Sequence, residues 1–499
     1  MNKLGSQVAT AREEARMTQS QLAEKIGTTQ SAIARIESGK QNISTAMLRK
    51  LGVALGRNLM GSAAGSVNLS VTGGHTLSGT IETNTSKNGA VGLLCASLLN
   101  RGTTTLHRVP QIEEVFRLIE VLESIGVKTT WDDHTLTITP PSSFNLQDID
   151  TNAARRTRSI VMFIGSLMHT LENFSLPQSG GCKLGSRTVR PHFYALEKFG
   201  VSINTTEQSY DVSVHKQAPQ EVILYESGDT VTENVLFAAA LTPGVTVIKY
   251  ASANYMVQEI CHFLELCGVK VDGIGTTTLT IHGVESIATD ISYTLAEDPI
   301  DAMFFLATAI VTGSEMTVAR CPIEFLELEM LTLEKMGLNY KKSDVYLSHN
   351  ERTKLVDITI KKSVLIAPPE KIHARPYPGL NADNLPFFAI IAAVADGQTL
   401  IHDWMYEKRA IYFTELDKLG ADTALADPHR IYIHGPTTFQ ANELVCPPAL
   451  RPATILLIGM LAATGTSVLR NIYSINRGYE NLVPRLQSLG AEVDYLEEF

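Results

Sequence analysis

The stretch "SLPQSGGCKLGSRTVRPH" (Ser175–His192) sets a Gly-Gly-Cys triplet beside three cationic side chains, Lys183, Arg187 and Arg190. Each residue type has a chemical use. Glycine lets the backbone fold closely over a ligand, guanidinium groups grip phosphate or carboxylate, and a thiol near cations ionises readily and can act on what is held. Two readings stand at this point: an exposed loop with an incidental thiol, or an anion-binding lid whose cysteine does chemistry. The elements that must carry the stretch decide between them.

A chain of 499 residues is too long for one core, so two or three folding units are expected. With 44% hydrophobic and 19% charged residues the composition is that of a folded globular protein, not a disordered one. Apolar runs such as Leu385–Ala395 and Phe304–Val311 fall well short of the roughly 20 residues a membrane span needs. No membrane partner is expected, and the opening MNKLGSQVATAREE has no apolar core of a signal peptide. Cys95, Cys182, Cys261, Cys267, Cys321 and Cys446 show no CxxC pairing, so a reduced, cytoplasmic setting without structural zinc is expected. Charge is uneven. Residues 1–60 carry nine basic and four acidic side chains, whereas the remainder carries 33 basic and 48 acidic. A small basic module on an acidic body points to two different partners.

In the basic module, "MTQSQLAEKIGTTQSAIARIESGK" (Met17–Lys40) has two apolar stripes at helical spacing: Leu22, Ala23 and Ile26, then Ile33 and Ile36. Gly27 allows a tight turn, and Thr28 or Thr29 can cap the second helix. The pattern resembles the Cro/repressor helix-turn-helix family, which implies an all-α domain over residues 1–58 binding DNA through Gln30, Ser31 and Arg35. Repressors of this type pair, so a homodimer is expected; a helical protein-interaction module is the other reading. Residues 59–66, which include the GSAAG run, read as a linker.

Beyond the linker one pattern recurs six times: an amphipathic helix, a glycine, then two short strands. The glycines are Gly126, Gly200, Gly268, Gly337, Gly420 and Gly490, and each can end its helix in the left-handed conformation. Between them lie small-residue apolar helices such as "VGLLCASLLNRG" and "ATILLIGMLAATG", apolar all round and therefore buried. Six βαβαββ-like units suggest two pseudo-symmetric lobes with a ligand cleft between them.

This layout resembles the enolpyruvyl (carboxyvinyl) transferases, and among them the UDP-N-acetylglucosamine enolpyruvyl transferases. The resemblance rests on "TNTSKNGA" (Lys87, Asn88), "GGCKLGSR" (Cys182, Arg187), Arg158, "PYPGLNADN" (Asp383), "YEKRA" (Arg409), "ALRPAT" (Arg451) and "NRGYE" (Arg477). It implies an α/β, two-lobed inside-out barrel, one lobe from residues 67–86 and 297–499 and the other, with the cysteine lid, from 87–296. It implies transfer of the enolpyruvyl group of phosphoenolpyruvate to the 3-hydroxyl of UDP-N-acetylglucosamine, the first committed step of peptidoglycan synthesis. Lys87, Arg187 and Arg477 would then serve the phosphate, Arg409 and Arg451 the carboxylate, and Asn88 would also contact phosphoenolpyruvate. Asp383 would be the base and Cys182 the acid or an aid to product release, and Arg158, Arg190 and Asp383 would face the acceptor. Neither metal nor cofactor is expected. The related shikimate 3-phosphate enzyme lacks the cysteine loop, which argues for the former relative.

The departures concern the acceptor. Where the family has a uridine-facing aspartate this chain has Arg190 in "TVRPH"; its diphosphate loop becomes "GDTVT" (Gly228–Thr232), and a neighbouring lysine becomes Glu226. Ala449 and "ANYM" (Ala253–Met256) replace further polar positions. A carboxyvinyl transferase for a different acceptor, and a regulator that uses the body as a metabolite sensor, are the alternatives.

Overall fold

A computed structural model describes residues 3–15, 17–38, 45–55, 67–178, 188–215 and 217–496; the linker 59–66 and the lid residues Cys182 and Arg187 lie outside the described residues. In the N-terminal unit the helices Lys3–Glu14, Gln19–Ile26, Gln30–Glu37 and Thr45–Leu55 close over Val8, Leu22, Ile26, Ile33, Ile36 and Leu51. Thr18 and Gln21 form a reciprocal capping box, Gly27 turns the chain at φ +69°, and Thr29, not Thr28, caps the next helix through the Ala32 N–H. Arg12 grips Glu37 through two hydrogen bonds of 2.6 and 3.0 Å, and Gln19 adds a third at 2.9 Å. This tie fixes the first helix against the helix that carries Gln30, Ser31 and Arg35.

The body is built from six sheets. Three take their strands from residues 68–82 and 315–496, here the first lobe, and three from 104–294, the second lobe. The repeated helix-ending glycines all adopt positive φ, from 76° at Gly200 to 101° at Gly126, where a Cβ would cost strain. The small-residue helices are buried as their composition dictates: Pro299–Val311, Leu385–Ala392 and Leu450–Ala462 pack together in the first lobe. Lys87–Ala96 and Asp229–Ala240 are buried in the second, beside a split pair, Arg158–Met162 (3₁₀) and Phe163–Leu167 (α). Strand Asn68–Gly73 lies between Gly465–Arg470 and Glu492–Leu496, so the two ends of the body meet in one sheet.

The chain crosses between lobes twice, and the crossings are tied by a Thr85–Glu297 bridge. Arg108 and Arg320 both reach the Glu297 carboxylate at 2.6 Å, and Ser348 donates to it at 2.6 Å. Burial pushes that carboxyl's pKa up, but Ser348, Arg320 and Arg108 outweigh it and keep the pKa below the usual glutamate value. A neighbouring carboxyl behaves in the opposite way. Glu259 is 3% exposed and accepts the Ala296 N–H at 2.7 Å beside the second crossing. Its other oxygen lies 1.9 Å from where a Cβ on Gly89 would stand.

Burial raises the Glu259 pKa to about 8, against the Ala296 hydrogen bond and with the help of Glu297 and Asp298. The unfolded carboxyl ionises near pH ~4.3, so between that pH and about 8 the folded state holds the extra proton and stability falls as pH rises. The slope approaches ~1.4 kcal/mol per pH unit. Thermal unfolding of the wild type is expected to weaken from pH 5 to pH 8, and Glu259→Gln should flatten the decline; parallel profiles would show that Glu259 is not buried in its protonated form.

Candidate active site

Lys87 is the first residue of helix Lys87–Ala96, fixed there by Ser86, whose hydroxyl accepts the Gly89 N–H at 2.8 Å. The Lys87 N–H donates to Asp298 at 3.3 Å, anchoring the helix start to the chain's second crossing. Its ammonium pairs with Glu114 Oε2 at 2.9 Å and donates to Asn88 Oδ1 at 3.2 Å; Asn88 in turn donates to the Tyr255 hydroxyl at 3.0 Å. From the first lobe, Arg477 brings its Nε to 3.7 Å from the same Glu114 oxygen. Burial pushes the Glu114 pKa up, but Lys87, Arg477 and Arg451 outweigh it and hold the group ionised.

The first lobe supplies a second cluster. Arg409 is 1% exposed, pairs with the buried Asp403, and donates to the Ala382 carbonyl at 2.6 Å. Its guanidinium lies 4.1 Å over the Tyr406 ring. Arg451 enters from the start of helix Leu450–Ala462, donates to Tyr479 OH at 3.0 Å and reaches Asp383 Oδ2 at 3.5 Å. Asp383 Oδ1 accepts from the Tyr406 hydroxyl at 3.3 Å and stands 3.7 Å from Arg409. The loop that presents Asp383 is pinned from beneath: buried Glu329 accepts the Asn381 N–H and the Asn384 side-chain amide, both at 2.9 Å.

Lys87, Asn88, Arg158, Asp383, Arg409, Arg451 and Arg477 all line one cleft of about 290 Å³, near the lower bound for small-molecule sites. Arg158 donates to the Thr188 carbonyl at 2.9 Å, next to the segment that holds Cys182 and Arg187. Arg190 is exposed at the start of helix Arg190–Leu196 and is not among the lining residues. The five described cysteines are buried, and burial raises each thiol's pKa, to about 12 for Cys267 and Cys446. None of them offers an accessible thiolate. In the N-terminal unit Gln30, Ser31 and Arg35 are exposed on one helix, with Gln30 held by Gln19 at 2.9 Å.

Sequence reasoning missed the partners. Glu114, Asp403 and Glu329 orient the cations and the carboxylate, yet no local pattern marks them; Tyr406 and Tyr479 do the same from within "YEKRA" and "NRGYE", where only the arginines were singled out. The one available signal was that so many basic side chains at buried positions require anions nearby.

Known proteins place this geometry. The EPSP synthase family (3-phosphoshikimate 1-carboxyvinyltransferase) matches residues 71–486, and a helix-turn-helix family matches residues 8–60. A UDP-N-acetylglucosamine 1-carboxyvinyltransferase of Treponema denticola is 30% identical over 428 residues, covering 86% of this chain and 99% of the relative. One from Bradyrhizobium diazoefficiens is 31% identical, covering 86% and 98%. Among solved structures, the enolpyruvyl transferase NikO from Streptomyces tendae superposes with a TM-score of 0.75 at 23% identity, over 87% of this chain and all of that one. EPSP synthase from Acinetobacter baumannii gives 0.68 at 17% identity, again over 87% of this chain and all of that one. With its cleft cations, its six-sheet body and these matches, the chain belongs to the EPSP synthase/enolpyruvyl transferase family and carries a Cro/repressor-type helix-turn-helix domain at its N-terminus.

Proposed function

We propose that the body transfers the enolpyruvyl group of phosphoenolpyruvate to an acceptor hydroxyl and releases phosphate. The observation that carries this reading is the convergence of Lys87 from one lobe and Arg409, Arg451 and Arg477 from the other on a cleft that also holds Asp383. A small trianion needs several cations, and a cleft between lobes can close over it and exclude water. Lys87, Arg187 and Arg477 take the phosphate, Arg409 and Arg451 the carboxylate, and Asn88 contacts the same substrate. Asp383 accepts the acceptor's hydroxyl proton as its oxygen attacks C2, while an acid delivers a proton to C3. In the second half C3 loses a proton, the C2–O bond to phosphate breaks, and the double bond re-forms. Cys182 serves as that acid or speeds product release.

For the acceptor, the named relatives support UDP-N-acetylglucosamine and a role in peptidoglycan synthesis, with Arg158 and Arg190 on the acceptor side. A different acceptor is favoured by one specific observation: Glu226 and Asp229 line the second-lobe wall. A pure sensor is disfavoured, because sensing does not require an ordered base such as Asp383. The N-terminal domain binds DNA as a dimer, with Gln30, Ser31 and Arg35 facing bases, and the protein works in the cytoplasm.

Two outcomes check these readings. Asp383→Asn and Cys182→Ser are each expected to lower the rate of acceptor-dependent phosphate release by roughly 10²–10⁴ with little change in the KM for phosphoenolpyruvate; wild-type turnover in the Asp383 variant would remove it as the base. Selection from a random DNA pool should enrich a palindrome bound more weakly at high salt. Arg35→Ala should cost about 1–3 kcal/mol on that sequence, and the absence of any enriched sequence would leave the domain as a protein-interaction module.

A further inference from the structure

The second-lobe wall of the cleft is acidic. Helix Asp229–Ala240 starts there, with Asp229 in its first turn and Gly228 as its cap. Asp229 accepts from Ser252 at 2.6 Å and from Asn254 at 3.3 Å, so its carboxylate is fixed in place. Glu226 lies just before the helix and is exposed, and Glu233 follows Asp229 by one turn; all three carboxyls line the cleft. Glu233 is 2% exposed, and among the described residues its Oε1 has no hydrogen-bond partner. That oxygen sits 3.2 Å from where a Cβ on Gly92 would stand, over the helix that presents Lys87. Burial, with Asp229 and Glu259 nearby, pushes the Glu233 pKa well above the usual glutamate value, so it is a neutral carboxyl; left without a partner at the edge of a ligand cleft, it calls for a hydrogen-bonding group on the ligand.

Among the described residues, the cations of this lobe that line the cleft are Lys87, Arg156 and Arg158, and Lys87 pairs with Glu114. Arg158 is turned to the Thr188 carbonyl. The charge of Arg156 is felt at Tyr473, as is that of Arg477. His192 is buried and occupied with Asn234 at 3.1 Å and Thr230 at 3.4 Å. A diphosphate brought to this wall meets the fixed carboxylate of Asp229 and the exposed carboxylate of Glu226.

We propose that this wall excludes a diphosphate and that the acceptor reaches it with a neutral or cationic end that hydrogen-bonds to Glu233. The acceptor class is therefore a hydroxylated molecule that is not a nucleoside diphosphate sugar. This inference rests on the enolpyruvyl transfer proposed above. The test is calorimetric titration of the full-length protein with UDP-N-acetylglucosamine in the presence of phosphoenolpyruvate, for the wild type, Glu226→Gln and Glu226→Gln/Asp229→Asn. Wild type is expected to bind it only in the millimolar range, the single variant more tightly, and the double variant about tenfold or more tighter than wild type. Phosphoenolpyruvate affinity, measured in each protein, reports that the cleft is intact, and Glu226→Gln alone decides the matter if the double variant loses it. Micromolar binding by the wild type, or no gain on removing the carboxylates, would overturn the proposal. Failure of phosphoenolpyruvate itself to bind the wild type would instead refute the transferase reading.

Discussion

Arg409 sits almost wholly out of water, and a guanidinium so placed is tolerated only when anions and acceptors surround it. Asp403, the Ala382 carbonyl and the face of Tyr406 meet that need. The same constraint governs the whole cleft. Arg451 is matched by Asp383 and Tyr479, and Lys87 and Arg477 share Glu114. The cations are thus assembled before any substrate arrives, each held by the chain's own acids. An incoming phosphate or carboxylate then finds donors already oriented, so little ordering remains to be done on binding.

That arrangement requires two lobes. Glu114 and Lys87 belong to one, Arg477, Arg451, Arg409 and Asp383 to the other, and the tie at Glu297 holds the two chain crossings next to the start of the Lys87 helix. The repeated units explain how such a body forms from simple parts. A small-residue helix can be buried on every side, and a glycine after each amphipathic helix turns the chain back into its sheet.

Much of this was legible in the sequence, for physical reasons that differ from residue to residue. The six helix-ending glycines were legible because the left-handed turn admits few other residues, and all six adopt it. Lys87, Asp383, Arg409, Arg451 and Arg477 were legible through a family resemblance, and the fold brings them into one cleft. Glu114, Asp403 and Glu329 were not, since their roles depend on partners far along the chain or on burial that no local pattern encodes. Asp403 is six residues from Arg409, but nothing in that spacing announces a buried ion pair. The acidic wall was half legible: Glu226 stood out as a charge in an unexpected place, whereas the unpartnered Glu233 lies inside an apolar helix and reads as an anomaly until its burial is seen.

The most direct measurement of the central claim is a calorimetric titration of phosphoenolpyruvate into the wild type and into Arg477→Ala, without acceptor. Arg477 is the natural choice because it reaches Glu114 across the lobes and its side chain, 19% exposed, can be cut back without opening the core. If the preassembled cations are the binding site, the wild type binds phosphoenolpyruvate and the variant binds it about 10- to 100-fold more weakly, the loss expected for charge-assisted hydrogen bonds. Equal affinity in the two proteins, or no binding in the wild type, would contradict it.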